Sequence, residues 1–128
     1  VTGVQTCALP IYNITCQQGS TFVRVIRIEY PDAVDPTIFH PFDLTGYSVR
    51  MQVRRTISSS TAMISLDTDD NGIEVTSPED GEITVTMTDA QTAELTSDGV
   101  YDIEIVSDTN FVTRILQGEF RLSLEVTR

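Results

Sequence analysis

From Gly99 to Thr127 the chain reads GVYDIEIVSDTNFVTRILQGEFRLSLEVT, and its apolar residues recur at every second position. Tyr101, Ile103 and Ile105 alternate with Asp102 and Glu104, the period of a strand buried on one face. Ser107-Asp108-Thr109-Asn110 is a turn cluster, so Phe111 to Gln117 reads as the returning strand of a hairpin. Gly118 interrupts. Phe120, Leu122, Leu124 and Val126 then alternate with Glu119, Arg121, Ser123 and Glu125, which predicts a third strand with four core positions. The three runs are expected to form the centre of the core.

Shorter runs of the same kind fill the rest. Tyr12 to Cys16 alternates briefly, and Thr21 to Tyr30 is β-branched and aromatic, with Phe22, Ile26, Ile28 and Tyr30 on one face. Pro31 to Phe42 contains three prolines and reads as a loop. Tyr47, Val49, Met51 and Val53 oppose Ser48, Arg50, Gln52 and Arg54. Met63 to Leu66 and Ile73 to Val75 are short strands, and Pro78-Glu79-Asp80-Gly81 is a turn that opens onto Glu82 to Met87. Thr88-Asp89-Ala90-Gln91 has the form of a capping box, which predicts one or two helical turns from Thr88 to Leu95. About seven or eight short strands, turns at regular spacing and at most one short helix define an all-β antiparallel sandwich, with a small barrel as the alternative.

Charge narrows the function. Nineteen acidic residues face eight arginines and no lysine, a formal net charge of −11 over 128 residues. Such a surface repels nucleic acid, whose binding relies on cations that displace counterions from phosphate. It also disfavours anionic membranes, and no apolar run approaches the roughly 20 residues of a spanning helix. Neither nucleic acid nor membrane is an expected partner.

Candidate chemistry is sparse. Asp67-Thr68-Asp69-Asp70-Asn71-Gly72 fits the opening of a calcium loop, with Asp67, Asp69 and Asn71 as candidate ligands. The closing glutamate is out of register, since Pro78 stands at the twelfth position and Glu79 follows it. An acidic turn with a positive-φ glycine is the competing reading. His40 stands alone among prolines and aromatics, without the company a zinc site needs. No serine sits in a nucleophile elbow, so no catalytic residues are expected. Asp102, Glu104, Glu119 and Glu125 belong to outward strand faces. Arg50, Arg54, Arg114 and Arg121 are placed to pair with acids across strands, or to form an interface patch.

Two resemblances add to this. Val1 to Ile11, VTGVQTCALPI, resembles the conceptual translation of a short-read sequencing adapter, which implies a metagenomic source and a non-native segment at residues 1–11. The domain is then expected at 12–128, with Cys16 as its only cysteine. The ordered motifs Gln18-Gly19-Ser20-Thr21-Phe22, Asp43-Leu44-Thr45-Gly46-Tyr47, Gly81-Glu82-Ile83-Thr84-Val85, Tyr101-Asp102-Ile103-Glu104-Ile105 and Arg114-Ile115-Leu116-Gln117-Gly118 resemble small tailed-bacteriophage structural proteins. They are similar to the immunoglobulin-like amino-terminal domain of phage upper baseplate proteins. That resemblance implies a non-enzymatic virion part (tail, baseplate or head-associated) made in the bacterial host cytoplasm, with other virion proteins and copies of itself as partners. It offers no catalytic residues and no cofactor. An immunoglobulin-like adhesin or carbohydrate-binding module is the alternative.

Overall fold

The structure, a computed structural model, describes residues 10–69 and 71–127. The first nine positions of the adapter-like segment, Cys7 among them, lie outside the described residues, as does Arg128. Among the described residues there are ten strands: β1 (Ile14–Gln17), β2 (Phe22–Arg27), β3 (Glu29–Pro31), β4 (Phe39–Pro41), β5 (Ser48–Arg54), β6 (Ile64–Asp67), β7 (Ile73–Ser77), β8 (Glu82–Met87), β9 (Gly99–Val106) and β10 (Val112–Ser123). A 3₁₀ turn spans Pro78–Asp80 and a single short helix, α1, spans Asp89–Ala93.

Eight strands form two layers. One sheet has the order β1-β10-β9-β5-β6 and the other the order β2-β8-β7. All pairings in them are antiparallel except that of β1 with β10, which is parallel. The arrangement is that of an immunoglobulin-like sandwich: β2, β8 and β7 take the places of strands B, E and D, and β5, β9 and β10 those of C, F and G. Inward positions follow the alternation. Val49, Met51 and Val53 of β5, Ile83, Val85 and Met87 of β8, and Tyr101, Ile103 and Ile105 of β9 are all buried in one core.

The helix is held from both ends. Thr88 Oγ1 accepts the N–H of Gln91, whose side chain accepts the N–H of Thr88, and this completes the capping box. Thr92, fully buried, donates its hydroxyl to the Ser20 carbonyl at 2.8 Å. A five-residue helix has little stability of its own, so this anchor to the β1–β2 turn supplies what propensity does not.

Three expectations need correction. Gly118 does not interrupt the last run: β10 is continuous over 12 residues, and its bulge falls between Arg114 and Leu116. The bulge turns both Ile115 and Leu116 into the core. Gly118 serves a close approach instead, because a Cβ there would collide with the Tyr12 backbone carbonyl. Second, the four-residue core stripe stops short. Phe120 is fully buried, while Leu124 and Val126 are 68% and 91% exposed. β10 pairs with β1 only as far as Ser123, and beyond it the Gln18 side chain takes the Glu125 N–H at 2.9 Å. Third, the proline-rich segment is not all loop. β4 lies within it and pairs with β3, whose last residue is Pro31, and both prolines stand in edge strands of a two-stranded ribbon, where a missing N–H is tolerated.

Candidate interaction face of the five-stranded sheet

Register decides what the outer face of the larger sheet presents. Arg50 of β5 lies between Asp67 of β6 and Glu104 of β9, and Glu104 lies beside Arg114 of β10. Residues opposite one another in adjacent strands point to the same side. Asp67, Arg50, Glu104 and Arg114 therefore form a row across four strands in which the charge alternates at every step. The next row runs Ser65, Gln52, Asp102 and Gln117.

The rows are tied by their side chains. Arg50 Nε donates to Glu104 Oε1 at 2.7 Å. Arg114 reaches diagonally to Asp102, with 3.7 Å between Nη1 and Oδ2. Gln52 donates its amide to Ser65 Oγ at 3.1 Å and accepts from Arg54 Nη2 at 2.8 Å. Burial pushes the Asp102 carboxyl above its ordinary range, and the neighbouring Glu104 charge adds to this against the pull of Arg114. Of the acids expected on a solvated face, Asp102 and Glu104 are half-buried in an open concavity of about 860 Å³, while Glu119 at its margin is exposed. Ile57, 89% exposed, stands beside it in the connection from β5 to β6.

Arg121 pairs within its own strand, with Glu119 at 3.0 Å, and not across strands. Arg27 makes the corresponding cross-strand pair on the smaller sheet, 3.1 Å from Glu82. The sequence pattern placed Arg50, Arg114, Asp102 and Glu104 outward. It missed the concavity, whose signal is the alternation of sign that appears only once the strands are in register.

The candidate calcium residues lie where the chain crosses from β6 to β7, between the two sheets. Asp67 Oδ1 accepts the Asp69 N–H at 2.9 Å, and the Asn71 amide donates to the Ser65 carbonyl at 3.0 Å. This is the hydrogen bonding of an Asx turn, closed by Gly72 at φ 92°. No group of three or more His, Cys, Asp or Glu side chains is gathered for a metal ion among the described residues. His40 is not isolated: its Nε2 lies 2.8 Å from Asp32 Oδ1, and its ring centroid is 5.5 Å from that of Tyr30. Cys16 is a buried free thiol whose pKa burial raises.

The fold and the face define an immunoglobulin-like β-sandwich with a polar, charge-ordered outer sheet. No protein-family model matches the chain, and no curated protein matches it either. No helix among the described residues is long and apolar enough to cross a membrane.

Proposed function

We infer that this protein is a non-enzymatic structural part of a tailed-bacteriophage virion, located in the tail or baseplate or on the head, and that it works by protein–protein assembly. The observation that carries the reading is the outer face of the five-stranded sheet. Asp102 and Glu104 are half-buried there, and the exposed Arg50 and Arg114 bond to them across strands, an arrangement suited to a partner surface of complementary charge. The phage class rests on the ordered motifs from Gln18 to Gly118, to which the immunoglobulin-like architecture adds support. Its partners are then other virion proteins and further copies of the chain, and its location is the particle.

An antiserum raised against the chain, applied to phage particles that carry its gene, tests this by electron microscopy. Decoration at one fixed position of the particle is expected. Particles free of label, with the chain found only in the soluble fraction of lysed host cells, would overturn the virion reading.

A further inference from the structure

We propose that the outer face of the five-stranded sheet pairs with the same face of a second copy, about a two-fold axis running along the strands between β5 and β9. The proposal rests on the assembly reading and names one of its partners.

The argument is the symmetry of the charged row. Read from β6 to β10 it runs negative, positive, negative, positive, through Asp67, Arg50, Glu104 and Arg114. Reversal turns such a row into its complement. A two-fold axis along the strands reverses it, so that β5 of one copy faces β9 of the other and β6 faces β10. Arg50 then lies over the second copy's Glu104, and Asp67 over its Arg114. In the next row Gln52 comes over the second copy's Asp102, to whose carboxylate its amide can donate. An axis across the strands on this row would superpose each charge on its own kind, and one between the two rows would set Glu104 over the second copy's Asp102, both of which like-charge repulsion disfavours. Sequential strands about 4.8 Å apart and sheets about 10 Å apart give the opposed side chains the reach to meet.

Another feature agrees. The same rotation carries exposed Ile57, on the β6 side of the concavity, toward the second copy's β1 margin, where it would leave water. The net charge of −11 opposes approach at long range, so the pairing belongs to physiological salt, where the Debye length is about 8 Å.

The test uses the full chain, sedimentation and light scattering at that salt, and the variants Arg50→Glu and Glu104→Arg. The parent is expected to dimerise, and each variant alone to weaken the dimer at least about tenfold. Mixing the two variants is expected to restore a dimer, now a heterodimer, because residue 50 of each copy again faces its opposite at residue 104 of the other. The double variant is expected to regain the homodimer. Loss of the intrachain Arg50–Glu104 pair alone cannot produce rescue on mixing. Ile57→Asp, in a connection rather than a strand, weakens the dimer without reversing either partner. A parent that stays monomeric overturns the self-pairing while the particle labelling still decides the virion reading. A dimer indifferent to all three single variants overturns the face, and single variants that fail to rescue one another overturn the axis.

Discussion

The guanidinium of Arg24 lies 2.7 Å from the hydroxyl of Tyr12 and spans the open side of the sandwich, from β2 of one sheet to the segment that leads into β1 of the other. Its carbon also sits 5.3 Å from the centroid of the Phe22 ring. Among the described residues β2 pairs only with β8, and an inward charge on such an edge discourages further strand pairing. Tyr12→Phe keeps the ring contact and removes the bond, and should cost about 1 kcal/mol. Arg24→Ala should cost about 1–2 kcal/mol, because the cation–π contact is lost as well. Thermal unfolding of both variants and the double variant isolates the coupling between the two residues.

Phe120 and Val126 share one alternation in sequence and differ entirely in surroundings. Phe120 is fully buried and Val126 is 91% exposed. Phe120→Ala should destabilise by about 3–5 kcal/mol, and Val126→Ser should stay within about 0.5 kcal/mol. Denaturant titration separates them. Comparable losses at the two positions would show that the chain beyond Ser123 is part of the core.

Acid should act through the turn before β4. The Asp35 N–H, the His40 ring and the Val34 N–H, bonding to the Asp32 carboxylate, pull its pKa down from 3.8 to about 2. A carboxyl lowered in the folded state adds stability that is present above its ordinary pKa and lost as pH falls through the folded one. Between about pH 4 and pH 2, Asp32→Asn should therefore show a shallower fall in unfolding midpoint than the parent. Identical slopes would remove Asp32 from the acid response.

Asp102 works in the opposite sense. Burial raises its pKa, so its ionised form is disfavoured in the folded chain and stability is lost as pH rises through that raised value. Asp102→Asn should raise the unfolding midpoint at pH 7, with the gain shrinking below the ordinary carboxyl range. A lower midpoint at pH 7 would mean that the bond from Arg114 outweighs the burial.

Calcium should leave the unfolding midpoint where chelator leaves it. Asp67 Oδ1 and the Asn71 amide nitrogen hold backbone groups of the turn, at 2.9 and 3.0 Å, and no cluster of three or more acids is gathered for an ion among the described residues. A midpoint that rises with calcium, and stops rising in Asp69→Ala, would establish the loop as a cation site.

The strands that pack one face on the core were legible in the sequence. β5, β8 and β9 alternate without a fault, since each pleat converts sequence period directly into side. Burial beyond the sandwich was not legible. Leu124 and Val126 keep the rhythm of Phe120, but rhythm says which way a side chain points and not how far the opposite sheet extends. The bulge at Ile115 hid two core neighbours behind a broken alternation, and Gly118 beside it looked like the break. The outer face was half legible. That Arg50, Glu104 and Arg114 point outward follows from period two. Which acid meets which base depends on register, and Arg114, level with Glu104, bonds Asp102 instead.

The parallel pairing of β1 with β10 has a mechanical consequence. Hydrogen bonds join the two from the Gln117 N–H on Pro10 to the Gln18 N–H on Ser123. A pull that separates residue 10 from residue 127 slides these strands along each other, so the bonds share the load and must break together. A hairpin pulled at its two ends would instead unzip one bond at a time. Single-molecule stretching from the two ends should record one high rupture, and a series of small ones would deny the shared load. A part built this way stays shut under tension.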